Sequence, residues 1–186
     1  MIIANCQTIE RVCMTAGSDL YRARHLTDGM PVLLKLLPEN AGAAQSARFK
    51  REYLLLQTLE VTGVAKALSL LDERGRLALV LEDFSGKSLE TVLGCGPGPG
   101  LAGCLVIAHH LAGALAGIDT AHVIHRDLRP ANILVTPETG NVLLVDFSLA
   151  TTQEHPVSPE DIAASVGDWA YMSPEQTGRM NRPVDY

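Results

Sequence analysis

The sequence predicts an α+β fold in two lobes, a small antiparallel sheet lobe with one helix followed by a mainly helical lobe. Three observations predict it. The first eighty residues hold short apolar runs separated by turn signals, one polar segment among them has a helical apolar period, and a long apolar run follows a break in composition near residue 84.

The strand-length runs are Thr8 to Met14, Leu20 to Leu26 and Val32 to Leu37, the last two joined by Thr27-Asp28-Gly29, so they read as an antiparallel meander. Ser46 is placed to cap a helix in which Phe49, Tyr53, Leu56 and Leu59 recur at helical spacing while Lys50, Arg51 and Gln57 face water. Leu68 to Leu71 and Leu77 to Leu81, joined through Asp72-Glu73-Arg74-Gly75, complete a five-stranded sheet. Composition shifts at Asp83-Phe84-Ser85-Gly86, which divides the chain into 1–84 and 85–186. A flexible Gly94 to Gly100 stretch then precedes a helix over 101–121, and two short strands follow around Ile133 to Val135 and Val142 to Val145. The apolar run Leu101 to Ile118 is interrupted by His109, His110 and glycines, poor material for a membrane span, so it reads as a buried helix of a soluble domain.

With 186 residues the chain is long enough for one domain with a real core. A hydrophobic content of 47% argues against disorder, and a net charge of -6 disfavours nucleic acid or an anionic membrane as partner. Cys6, Cys13, Cys95 and Cys104 have no metal-ligand spacing and no export signal precedes them, which points to a reducing cytoplasm.

The residues that carry chemistry are His125-Arg126-Asp127-Leu128-Arg129-Pro130-Ala131-Asn132, with Asp146-Phe147-Ser148 beginning fourteen residues after the Asn. Phosphoryl transfer needs positioning and charge neutralisation: one carboxylate to orient and deprotonate a hydroxyl, and oxygen ligands to hold Mg²⁺ on phosphates. The set resembles the catalytic loop and metal-binding motif of eukaryotic-type Ser/Thr protein kinases. The resemblance implies a protein kinase-like fold, ATP and Mg²⁺ as cofactors, Asp127 as catalytic base with Arg129 beside it, and Asn132 and Asp146 as metal ligands. It also implies that Lys35, in Val32-Leu33-Leu34-Lys35, touches the α- and β-phosphates, and that Glu52, seventeen residues later on the helix, clamps it. Leu79-Val80-Leu81-Glu82-Asp83-Phe84 resembles the hinge, with Leu81 at the gatekeeper position and the backbone of Glu82 and Phe84 on adenine. Gly167 to Glu175 resembles the end of the activation segment. Together with Gln176 to Tyr186 it looks like the N-terminal kinase domain of large signalling proteins that continue into AAA ATPase, GAF and histidine kinase regions.

Four departures from the family pattern bear on activity. Aligning Leu20-Tyr21-Arg22-Ala23 with the strand after the glycine-rich loop puts Cys13, Thr15 and Ser18 at the three glycine positions, with Gly17 nearby, so side chains crowd the phosphate approach. Ser148 replaces the Gly after the metal Asp. Arg129 and Asp168 replace the usual Lys and Thr, and an ion pair between them is expected. Relative to the family the large lobe is incomplete, which leaves the 101–121 helix with exposed apolar surface. Thr151, Thr152, Ser158 and Ser165 are candidate phosphate acceptors for pairing with Arg126. The expected activity is transfer of the γ-phosphoryl of ATP to Ser or Thr of a protein substrate. The alternatives are a pseudokinase that serves as a docking module and a small-molecule phosphotransferase of the aminoglycoside type, which shares the H-x-D-x-x-x-x-N loop.

Overall fold

Apolar residues on both faces of the central strands build a six-stranded antiparallel sheet of order β1-β2-β3-β4-β6-β5 in the computed structural model, which describes residues 1–14, 17–73, 75–152 and 170–176. Its strands are β1 (Ile2–Ile3), β2 (Cys6–Met14), β3 (Asp19–His25), β4 (Pro31–Leu36), β5 (Ala67–Glu73) and β6 (Arg76–Glu82). The sixth strand, unexpected from sequence, is β1, folded back on β2 through Ala4 and Asn5, both in left-handed backbone conformation. In β4 every residue after Pro31 is buried. Leu33 packs in the main core with Leu79, Leu81 and the helix residues Phe49 and Leu56, while Leu34 and Leu36 join Ala78 and Val80 on the other face.

The helix α1 (Ala43–Thr58) starts before Ser46, which therefore is not its cap. Ala43 and Ala44 are strong helix formers, and the Gln45 side chain accepts the Gly42 N–H at 3.1 Å, so the chain enters the helix one turn earlier than a hydroxyl signal suggests. Phe49, Glu52 and Leu56 form its buried stripe.

After the sheet come β7 (Lys87–Ser88), α2 (Leu89–Gly94), α3 (Gly100–Thr120), β8 (Val123–Ile124), a 3-10 turn at Pro130–Asn132, β9 (Ile133–Val135), β10 (Val142–Leu144) and β11 (Thr151–Thr152). β10, β9 and β7 form one small sheet, and β11 pairs with β8. The reading of 101–121 as a buried helix is corrected, while the exposed apolar surface expected on it is present. α3 buries only Ile107, Ala114 and Ile118, and Leu101 and Leu105 are exposed. Those three buried residues lie on one stripe, and β8 and β10 cover only that side. By length and composition α3 is apolar enough to cross a membrane.

The loop between α1 and β5 joins the two halves around the site. Gly63 has φ +84° and lies so close to α3 that a Cβ would meet the Ala114 Cβ at 2.9 Å. The Leu144 N–H donates to Gly63 O at 2.7 Å and the Ala65 N–H donates to Leu144 O at 3.0 Å. This stitching brings the end of β10, and so Asp146, up to the β4–α1 unit.

Candidate functional site

Lys35 stands on β4 between Leu20 of β3 and Leu79 of β6, and Glu52 rises from the buried stripe of α1 to meet it. Lys35 Nζ donates to the two Glu52 carboxylate oxygens at 2.6 and 2.5 Å and to Asp146 Oδ1 at 2.9 Å. All three side chains are nearly sealed from water. Burial alone would lower the Lys35 pKa, but Asp146 and Glu52 together outweigh it, so the ammonium stays charged. Burial pushes Glu52 up against the pull of Lys35. Asp146 goes the other way: burial opposes its ionisation, yet Lys35 and the Ser148 hydroxyl hold it well below the usual carboxylate range.

Asp146 has left-handed backbone (φ 65°), which turns its carboxylate back toward Lys35 while Phe147 enters the core. The Phe147 N–H donates to Glu52 Oε1 at 3.0 Å, so one carboxylate braces both the Lys and the peptide after Asp146. The Phe147 ring packs on His125 with centroids 4.5 Å apart. The Asp127 N–H donates to His125 Nδ1 at 3.3 Å, so the ring proton is on Nε2, which faces Val145 O at 3.2 Å. Burial lowers the His125 pKa and keeps this neutral form.

The Val145 N–H donates to Asn132 O at 3.0 Å, continuing the β9–β10 register and setting Asn132 across the ladder from the residue before Asp146. Asn132 Nδ2 donates to both Asp127 O, at 2.8 Å, and Asp127 Oδ2, at 2.7 Å. Asn132 Oδ1 is buried and accepts nothing from the described residues. Arg129 Nε lies 3.5 Å from Asp127 Oδ2. Burial raises the Asp127 pKa, with Asp146 adding to the rise and Arg129 opposing it.

Lys35, Glu52 and Asp146 thus form one cluster, and Asp127, Arg129 and Asn132 a second, joined through Asn132 and Val145. Cys13 pairs with Leu20 across β2–β3 and lies close enough to the first cluster to feel the charges of Asp146 and Lys35. Burial pushes its thiol up to about 12, and Asp146 contributes to the shift. Ser18 and Leu20 are buried, and Gly17 has open space around its Cα. Thr15 and Asp168 lie outside the described residues, as do Ser158 and Ser165. Thr151 is buried in β11 opposite Ile124, and Thr152 pairs with Val123.

At the end of β6, Leu81 is buried and the Glu82 N–H donates to Lys66 O at 2.9 Å. Phe84 O accepts from Gly86 N–H at 2.8 Å and from Arg22 Nη2 at 3.2 Å. Arg22 also bonds Gly86 O at 2.9 Å and pairs with Glu10. Sequence reasoning passed over Arg22, the Ser148 hydroxyl and Gln176. The Ser148 Oγ–H donates to Asp146 Oδ1 at 2.6 Å, and Gln176 Nε2 donates to Arg126 O at 2.8 Å. Only the Ser148 hydroxyl had a signal in the chain, lying two residues from a carboxylate.

The protein kinase domain family matches residues 11–186. The serine/threonine-protein kinase pkn2 of Myxococcus xanthus is 33% identical over 177 residues, which cover 89% of this chain and 21% of that protein. The DNA damage-responsive serine/threonine-protein kinase RqkA of Deinococcus radiodurans is 31% identical over 164 residues, 86% of this chain and 24% of that protein. The serine/threonine-protein kinase PkaA of Streptomyces coelicolor is 33% identical over 166 residues, 87% of this chain and 30% of that protein. The chain therefore spans a minor part of these relatives' length. By the extent of the family match and by its likeness to these kinases, the chain belongs to the protein kinase domain family.

Proposed function

We propose that this domain transfers the γ-phosphoryl group of ATP to Ser or Thr hydroxyls of protein substrates. The observation that carries the reading is the buried contact of Lys35 with both Glu52 and Asp146, beside an Asn132 that holds Asp127. A buried ammonium shared by two carboxylates is costly to assemble, and strongly perturbed buried clusters of this kind concentrate at functional sites. In this reading the strand 1–84 side carries the adenine and phosphate contacts and 85–186 the catalytic loop. The backbone of Glu82 and Phe84 meets the base, Leu20 covers it, the loop with Thr15, Gly17 and Ser18 lies over the phosphates, and Lys35 bonds the α- and β-phosphates.

Magnesium fits the residues present. Asn132 Oδ1 is a buried acceptor with no donor among the described residues, and the hydrogen bonds to the Asp146 carboxylate fall on Oδ1. Mg²⁺ takes one or two protein oxygens plus substrate phosphates, so Asn132 and Asp146 suffice to hold it. When bound, it neutralises charge on the phosphate oxygens. The substrate hydroxyl oxygen attacks the γ-phosphorus, its proton passes to Asp127, and the bond to the bridging oxygen breaks with its electron pair leaving on ADP. Asn132 keeps Asp127 oriented, and Arg129 offsets charge on the same carboxylate.

We infer further domains in the same polypeptide, supported by the small share of each relative that the chain covers, and a cytoplasmic setting, supported by four free cysteines. A second reading, a nucleotide-binding docking module with little turnover, is favoured by Cys13 at a glycine position over the site. Incubating the full polypeptide with Mg²⁺, γ-labelled ATP and a mixed Ser/Thr peptide library separates them. Phosphoserine or phosphothreonine is expected; ATP binding without transfer would favour the docking module.

A further inference from the structure

Arg126 has φ 66°, a left-handed conformation that is unfavourable for a residue with a Cβ. It immediately precedes Asp127, so what holds it also aims the carboxylate. The peptide between residues 126 and 127 is one rigid plane. Its N–H, on Asp127, donates to His125 Nδ1 at 3.3 Å. Its C=O, on Arg126, accepts from Gln176 Nε2 at 2.8 Å. The next carbonyl, that of Asp127 itself, accepts from Asn132 Nδ2 at 2.8 Å. The backbone is therefore fixed on both sides of the Asp127 Cα, and Gln176 supplies a contact from outside the catalytic loop.

The same Gln176 amide has a second task. Its Oε1 accepts the Ser173 N–H at 3.0 Å, and the Gln176 N–H donates to Ser173 O at 3.0 Å, closing the turn at 173–176. Its two ends thus tie that turn to a loop fifty residues earlier in the chain. A primary amide donates and accepts at once, whereas an ionised carboxylate of the same shape accepts only.

We propose that Gln176 is a positioning residue for Asp127, coupling the docking of the 170–176 segment to the aim of the catalytic carboxylate. This rests on the reading of Asp127 as the base. Substrate that orders or displaces the 170–176 segment would act on Asp127 through this amide, with no change at the Lys35 cluster.

The test uses the full polypeptide with Gln176→Glu, which keeps shape and removes the donor, and Gln176→Ala, which removes both ends. Both are expected to lower kcat about tenfold with the ATP KM unchanged. Amide hydrogen exchange is expected to speed up at 126–127 and 170–176 and to stay the same across β2 to β6. Wild-type kcat and wild-type exchange in both variants would overturn the coupling while leaving the kinase reading intact. Faster exchange across the whole sheet would also overturn it, because Gln176 would then be a general fold contact. If the wild type transfers no phosphate, the kinase reading fails by itself. The exchange at 126–127 then decides whether the clamp exists: no acceleration in Gln176→Glu overturns it.

Discussion

Lys35 Nζ lies 2.9 Å from Asp146 Oδ1, a contact between residues 111 positions apart. The same ammonium donates to both oxygens of Glu52, so three charges share one dry site with a single positive centre. Breaking such a site from the cationic side strands two carboxylates, and several measurable consequences depend on that asymmetry.

Replacing Lys35 with Met leaves Glu52 and Asp146 facing each other without a counter-charge. A loss of about 3–5 kcal/mol in unfolding free energy is expected, read from the urea midpoint at neutral pH, and Lys35→Met combined with Glu52→Gln is expected to recover part of it. Asp146 is held below its ordinary value, so its contribution to stability is present above the ordinary carboxylate pKa of 3.8 and is lost as pH falls from there through its lowered folded value. Lys35→Met should flatten this acid loss. A variant as stable as the wild type would show that the pair makes no net contribution.

Asp127 is shifted the opposite way, upward by burial, with Arg129 opposing. A base must be ionised to accept a proton, so the acid limb of kcat/KM is expected above the ordinary value of 3.8. Removing the nearby cation in Arg129→Gln is expected to move that limb to higher pH. A limb that stays in place or moves down contradicts the assignment.

The Ser148 hydroxyl bonds Asp146 Oδ1 at 2.6 Å, a donor that the family's usual Gly lacks. Ser148→Ala removes roughly 1 kcal/mol of orientation. The Mg²⁺ concentration for half-maximal rate should rise about fivefold, and Ser148→Thr should restore it. An unchanged Mg²⁺ dependence in the Ala variant would show that the hydroxyl does not act on the metal ligand.

Cys13 is protected by its surroundings, its thiol pushed up to about 12, whereas Cys95 and Cys104 are exposed. Iodoacetamide at pH 8 is expected to modify Cys95 and Cys104 and to spare Cys13, as peptide mapping would show. Cys13→Gly should lower the ATP KM about tenfold, which corresponds to relief of about 1.4 kcal/mol of crowding.

The sequence disclosed the long elements because their periodicity spans many residues. Phe49 and Leu56 mark the α1 stripe on which Glu52 also lies, so the clamp on Lys35 was legible from spacing and motif order. Strands β1, β7, β8 and β11 have two residues each, too short for a period to register. The start of α1 was misread because Gln45, three residues after Gly42, supplies the cap that a Ser was expected to supply. That α3 has exposed apolar surface was expected from the incomplete large lobe, but which side is covered was not legible, because a run apolar all round does not say which side has a neighbour. Arg22 and Gln176 act on backbone carbonyls 62 or 64 and 50 residues away, and nothing local in the chain announces such partners.

The central claim is that these side chains serve phosphoryl transfer, with Asp127 taking the proton. The most direct measurement is the single-turnover transfer rate from Mg²⁺-ATP to a Ser/Thr substrate, wild type against Asp127→Asn, in the full polypeptide. The account predicts a fall of roughly 10²- to 10⁴-fold with ATP affinity retained. Equal rates in the two proteins would contradict it.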